Sequence, residues 1–181
     1  ADVKYIATTD DPADTLDFHR ELQGDRDFDV FIAPAFRPDN LFNIHKNEFT
    51  AYVERFGNKY GIKICNLNDL RIGLRLSLDE FVSLGCTYSD IGIEKFPTKI
   101  YSRDEATEVF TKALNGKEIT DCDCDIYIGY MYNFLAGECK RHEITMQLHL
   151  SSKRDANSLL TAACGRDAGS KLEKANQLGV T

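Results

Sequence analysis

Apolar positions along this chain fall into two kinds of run. Short and nearly continuous runs occur at Val3–Ala7, Phe28–Ala33, Cys86–Asp90 and Ile144–Leu150. Each is a strand candidate, the first reading as a buried strand. Stripes at three- and four-residue spacing lie between them. Asp11 is placed to cap a first helix, with Pro12 at its first position and Asp14 in its first turn. Leu16, His19 and Leu22 continue its face, and Gly24 with Asp25 end it. Phe49, Tyr52, Val53, Phe56 and Tyr60 predict a second helix. Leu70 to Leu78 alternate as a strand would, but Leu70, Leu74, Leu78, Phe81 and Leu84 also form a helical stripe. Gly85 makes a good helix stop, so a helix is read there. Ser102 and Glu105 form a capping box ahead of Ala106, Val109, Phe110, Ala113 and Leu114, closed by Gly116. A longer, aromatic-rich helix is expected from about Asp121 to His142, and a helical tail from about Asp155 with a break near Gly165.

Strands therefore alternate with helices, and no hairpin turn joins two strands. That predicts an α/β domain over residues 1–181, with parallel strands joined by crossover helices and a long helical connection before the last strand. The strand ends carry a second pattern. Apolar runs give way to Thr8-Thr9-Asp10-Asp11-Pro12, to Phe36-Arg37-Pro38-Asp39-Asn40, to Ser89-Asp90 and to His149. Chemistry on the segments that follow parallel strands is how a (β/α) barrel builds a site. With 181 residues the chain is shorter than the ~200 a full eight-stranded barrel needs, so a partial barrel is expected. Ala1 stands directly before a strand, and Gly179-Val180-Thr181 carries no stop signal; both ends are expected to be cuts through a longer protein.

Composition narrows the partners. The net charge is −7, from 22 basic and 29 acidic residues. No Lys/Arg cluster interleaves with aromatics, which argues against nucleic acid. No stretch approaches the ~18 apolar residues of a membrane span, and no signal peptide opens the chain. Cys65, Cys86, Cys122, Cys124, Cys139 and Cys164 are dispersed. They read as reduced thiols in a cytoplasmic protein. Cys122-Asp123-Cys124 lacks the second pair of a zinc pattern; the acids from Asp121 to Asp125 read as a polar helix start, with a metal or redox site as the alternative.

Three residues stand out as candidates for chemistry. Arg37, between Pro34 and Pro38, suits two-point binding of a carboxylate; equally, it is a surface arginine paired with Asp39. Asp90, at a strand end, suits orientation of a hydroxyl or proton transfer; the alternative is a turn residue before Gly92. His149 stands in an apolar strand, where a buried histidine has a hydrogen-bonding or ligand task or is a satisfied core residue. Arg154 and Asn157 add possible donors beyond it. Asp10 and Asp11 read as capping residues, and His19, His45 and His142 are assigned no role.

Taken in order, these phrases resemble the uronate isomerase family. The resemblance is carried by Thr8-Thr9-Asp10-Asp11-Pro12, by Phe36-Arg37-Pro38-Asp39 with Phe42-Asn43-Ile44, and by Gly85-Cys86 with Ser89-Asp90. It continues through Met146-Gln147-Leu148-His149-Leu150 with Arg154 and Asn157, then Gly165, Asp167, Ala168 and Gly169. It covers nearly the whole chain. Ile91 replaces a family histidine, and Ser151-Ser152 replaces a Gly-Ala pair.

The resemblance implies a TIM barrel of the amidohydrolase type, of which this chain supplies the second to fifth strands. It implies interconversion of glucuronate with fructuronate and of galacturonate with tagaturonate. Asp90 and His149 are then candidate catalytic residues, and Arg37 and Arg154 candidate substrate-binding residues. The family's divalent metal, zinc or manganese, is held by motifs this chain lacks, so no metal ligand is assigned. The expected partner is a small uronate sugar, with self-association into a homo-oligomer. The chain alone is expected to be inactive. The alternatives are a non-catalytic fragment or binding domain of the same descent and a metal-dependent amidohydrolase.

Overall fold

A computed structural model describes residues 2–25, 27, 29–93 and 96–150. Four strands run β1 (Tyr5–Asp10), β2 (Phe31–Phe36), β3 (Tyr88–Ile93) and β4 (Thr145–Leu150). They form one sheet in sequence order, and every pairing is parallel. Between them lie α1 (Asp17–Gly24), α2 (Asp39–Phe42), α3 (Phe49–Lys59), α4 (Leu67–Ser83), α5 (Arg103–Leu114) and α6 (Asp121–Arg141). The alternating order and the long α5–α6 connection before β4 match the sequence expectation. The predicted tail helix lies outside the described residues.

The helices follow their local signals closely. Asn66 caps α4, its side chain accepting from the Asn68 and Asp69 amides at 2.9 and 3.1 Å. Such a cap is worth about 1 kcal/mol. Gly85, at φ +88°, ends the helix in the left-handed region that a side chain resists. The Ser102–Glu105 capping box forms at α5, and Thr120–Asp123 forms a second one at α6. Leu70, Leu74, Leu78 and Phe81 of α4 are fully buried, which settles that ambiguous segment as a helix. Phe36 of β2 meets Phe81 edge-on at 5.1 Å between ring centres. Phe49, Phe110 and Tyr127 pack α3, α5 and α6 together. Each fully buried aromatic or leucine contributes about 2 kcal/mol by its removal from water.

Strand boundaries moved, for physical reasons. β1 is not buried: Tyr5 and Ile6 are each 42% exposed, because the strand forms one edge of the described sheet. β2 starts three residues later than predicted and takes Pro34 into its interior. Phe31 and Arg37 donate their amides to Lys4 and Asp10 of the β1 side. Alternation then directs the position of Pro34 toward β3, where a proline has no N–H to give. There, Phe36 opposite Ser89 is the one register pair between β2 and β3 among the described residues. β3 likewise runs on to Ile93, which puts Asp90 inside the strand rather than at its end.

The first helix is also shorter than predicted. Residues 11–16 form a turn and loop, and α1 begins at Asp17 after Leu16 in the left-handed region at φ 59°. Asp11 caps this turn, not a helix. Its Oδ1 accepts from the Ala13 amide at 2.8 Å and from Tyr52 Oη at 2.6 Å, and its Oδ2 accepts from Asn40 Nδ2 at 2.8 Å. Those side-chain bonds offer the backbone an alternative to the helix.

Candidate functional site

Side chains alternate along a strand, and partners across a parallel ladder share a face. Thr9 pairs with Ala35, and Asp90 pairs with Gln147. Thr9, Arg37, Asp90, Gln147 and His149 accordingly collect on one face of the sheet, toward its carboxyl ends. Phe36 and Ile91, both fully buried, project to the helix-covered face.

Asp90 is the centre of this group and is only 7% exposed. A buried carboxylate is costly without partners. Thr9 Oγ1 donates to Asp90 Oδ2 at 3.1 Å. Arg37 Nη1 lies 3.5 Å from the same oxygen, and His149 Nδ1 lies 2.8 Å from Oδ1. No N–H is aligned with Oδ1 as a hydrogen bond, so the His149 contact is a close approach rather than a hydrogen bond. On the other side of the ring, Gln147 Nε2 stands 2.8 Å from His149 Nε2. An amide nitrogen can only donate, so Nε2 accepts and the ring proton is left on Nδ1, the nitrogen nearer Asp90 though not aligned with its Oδ1.

Arg37 is shared between two acids. Its Nε donates to Asp39 Oδ2 at 2.8 Å. The bond to Asp39 raises the guanidinium pKa, against the smaller opposing effect of burial. Arg37 thus pairs with Asp39, as one of its two sequence readings had it, and its Nη1 also lies against Asp90. Asp39 Oδ1 accepts from the Gly92 amide at 3.0 Å, linking the turn after β2 to β3.

The structure thus brings Arg37, Asp90 and His149 together. It corrects the expected burial of His149, whose side chain is 48% exposed; β4 is the last described strand, and the imidazole faces outward. Arg154 and Asn157 lie outside the described residues. Thr9 and Gln147 were not singled out, and Asp39 was read only as a partner of Arg37. Thr9 and Asp90 are 81 residues apart, and nothing local marks such a partner. Gln147 was legible as the residue two before His149, hence on the same strand face.

A second polar group lies on the opposite face of β1. Thr8 Oγ1 donates to Asp10 Oδ2 at 2.6 Å and lies 2.8 Å from Nε2 of the buried His19. Asp10 is thus tied within its strand and against α1 rather than capping a helix. Beside the β2–α3 connection, a cavity of about 330 Å³ is lined by Asn40, Asn43, Lys46, Phe49, Tyr52 and Arg55, among others. Arg37, Asp90 and His149 do not line it.

Among the described residues, no three His, Cys, Asp or Glu side chains are grouped to hold a metal ion. Asp90 with His149 offers two donors, but a guanidinium 3.5 Å from the carboxylate opposes a dication. The residues described here do not by themselves fit a metal centre. Cys65, Cys86, Cys122, Cys124 and Cys139 are free thiols. No helix among the described residues is long and apolar enough to cross a membrane.

The family model for glucuronate isomerase matches residues 1–179. The chain belongs to the glucuronate isomerase family. It is 34% identical over 169 residues to the uronate isomerase of Caldanaerobacter subterraneus, and 36% identical over 169 residues to that of Caldicellulosiruptor saccharolyticus. Each alignment takes in 93% of this chain and 36% of the relative. The crystal structure of uronate isomerase from Thermotoga maritima superposes with a TM-score of 0.84 at 30% identity, over 93% of this chain and 37% of that one. Glucuronate isomerase from Caulobacter crescentus gives 0.81 at 25% identity, over 92% and 34%. The chain thus spans little more than a third of the length of these glucuronate and uronate isomerases.

Proposed function

We propose that this chain is the segment of a uronate isomerase that grips the substrate carboxylate and supports proton transfer, built as strands two to five of a (β/α)8 barrel of the amidohydrolase type. One observation carries the reading: a guanidinium, a buried carboxylate and an imidazole converge on one face of three consecutive parallel strands. Family membership over nearly the whole chain supports it.

The substrates are D-glucuronate, converted to D-fructuronate, and D-galacturonate, converted to D-tagaturonate. In the open-chain aldehyde the C2–H bond breaks and its proton passes to a base, while O1 gains a proton to give an enediol. C1 then gains a proton and O2 loses one, leaving the ketone. Charge develops on the oxygens during both steps, so positioned donors lower the barrier. Arg37 binds the uronate carboxylate in two-point fashion. Asp90 and His149 position hydroxyls and exchange protons at oxygen. Asp90 fixes the ring proton on Nδ1 and stabilises the imidazolium when Nε2 takes a proton. Arg154 supplies a second cationic contact. Zinc or manganese, where the whole enzyme uses one, would be held by residues other than those described.

Calorimetric titration of the chain with D-glucuronate and with D-glucose tests this. Glucuronate should bind about tenfold or more tightly than glucose, the ~1.4 kcal/mol of a charge-assisted hydrogen bond, and Arg37→Met should erase the difference. Equal affinity for the two sugars would end the proposal. In a coupled isomerisation assay with added zinc or manganese the chain alone should show no turnover, and clear turnover would refute that part.

A further inference from the structure

Two carboxylates compete for one guanidinium here. Asp39 Oδ2 takes the Arg37 Nε–H at 2.8 Å, whereas Asp90 Oδ2 stands 3.5 Å from Nη1. The two contacts differ in kind: the first is a hydrogen bond, the second a looser charge contact. Arginine favours planar, two-point pairing with a carboxylate. With Nε released, the fork would be able to turn fully onto Asp90, which already carries the Thr9 hydroxyl and the His149 ring.

Asp39 is itself held from a second direction. Its Oδ1 accepts the Gly92 amide at 3.0 Å, across the gap where β2 and β3 share Phe36 opposite Ser89 as their register pair. The position of Pro34 removes a donor from that side of β2. The side chain of Asp39 therefore takes over part of what a backbone ladder would do, and the same carboxylate sets the Arg37 plane.

We propose that Asp39 is a positioning residue: it anchors Arg37 through Nε and β3 through the Gly92 amide, holding the guanidinium off Asp90 with its Nη edge directed to the substrate carboxylate. This deepens the uronate reading above and depends on it for the identity of the carboxylate. The anchoring itself does not depend on it.

The experiment uses chain labelled with ¹⁵N-arginine, as wild type, Asp39→Asn and Asp90→Asn, followed by NMR of the Arg37 Nε–H and Nη–H groups. In wild type the Arg37 Nε–H should exchange with water roughly tenfold more slowly than that of an unpaired arginine, a protection of the size one net hydrogen bond gives. Asp90→Asn should leave that protection in place. Asp39→Asn should abolish it and slow exchange at Nη instead, as the fork turns onto Asp90. A mere loss of local packing would not transfer protection from Nε to Nη. Loss of Nε protection in Asp90→Asn, or its survival in Asp39→Asn, overturns the proposal. If Asp39→Asn proves unfolded by its amide spectrum, Asp39→Glu replaces it. That variant keeps the charge but is one methylene longer, and it should hold Nε while losing slow exchange at the Gly92 amide. Retention of both in Asp39→Glu counts against the bridge. Glucuronate titration separates the two ideas. A wild type that fails to bind glucuronate but shows the Nε-to-Nη transfer sinks the uronate reading and leaves the anchor. Wild-type binding with undiminished affinity in folded Asp39→Asn sinks the positioning role.

Discussion

Asp90 and His149 stand on adjacent parallel strands with His149 Nδ1 2.8 Å from Asp90 Oδ1, although 59 positions of sequence containing two helices separate them. Gln147 donates to the far nitrogen of the same ring. Together these contacts select one tautomer of the imidazole, leaving Nε2 as the basic nitrogen.

This selection is measurable. Nitrogen-15 shifts of the His149 ring in the neutral state should report Nδ1 as the protonated atom. Asp90→Asn removes the charge that favours this and should move the ring shifts toward an average of the two tautomers. Unchanged shifts in the variant would mean that Asp90 does not orient the ring.

Tyr127 is fully buried, and its hydroxyl has no hydrogen-bond partner among the described residues. Burial alone drives its pKa upward. An unpaired buried hydroxyl costs free energy that phenylalanine does not incur, while the ring contacts with Phe49 and Phe110 survive. Tyr127→Phe should raise the unfolding free energy by about 1 kcal/mol. Denaturant unfolding checks this, and a loss of stability of similar size would show that the hydroxyl has a partner.

At the start of α6, Lys112 and then Thr120 hold the Asp123 carboxyl below its ordinary 3.8, at about 2. A carboxyl whose folded pKa is depressed adds stability above its unfolded value and loses it as pH falls toward the folded one. Stability should therefore decline between about pH 4 and pH 2 through this group. Asp123→Asn should make that decline shallower, with Glu105, also depressed by its Ser102 bonds, still contributing. Urea unfolding at stepped pH reads the slope directly; an identical slope in the variant would contradict the assignment.

Gly85 combines a positive φ of 88° with close approach: a Cβ there would lie 2.6 Å from the Phe31 ring. Gly85→Ala should cost about 1–3 kcal/mol from backbone strain, with the displaced ring adding to it. A thermal midpoint within error of wild type would show that the turn accepts a side chain.

The helices were legible because their signals are local. The Ser102–Glu105 box, the Gly85 stop and the three-four spacing of Phe49 to Phe56 are each read within a few residues. Parallel topology followed from the absence of hairpin turns. The strand limits were less legible. Apolar character around Phe28 does not determine where pairing begins, and Pro34 suggested a strand exit although it lies inside β2, on the side where the ladder lapses. Asp11 has the composition of a helix cap, but Tyr52 and Asn40, distant in sequence, hold it in a turn. At the site, Arg37, Asp90 and His149 stood out by residue type and by their place in or after a strand, and phrases shared with a family supplied the roles expected of them. The Thr9 contact with Asp90 and the Asp39 contact with the Gly92 amide became visible only when β1, β2 and β3 were laid side by side, because they depend on register rather than on neighbouring residues.

The most direct test of the account is to map D-glucuronate onto the labelled chain by NMR. Saturating sugar should shift the Arg37 Nε–H, the His149 ring and the amides of Thr9, Asp90 and Gly92 together, with little change at His142, which caps the end of α6. Shifts confined to the Lys46–Arg55 cavity, or none at Arg37 and His149 at saturation, would contradict it.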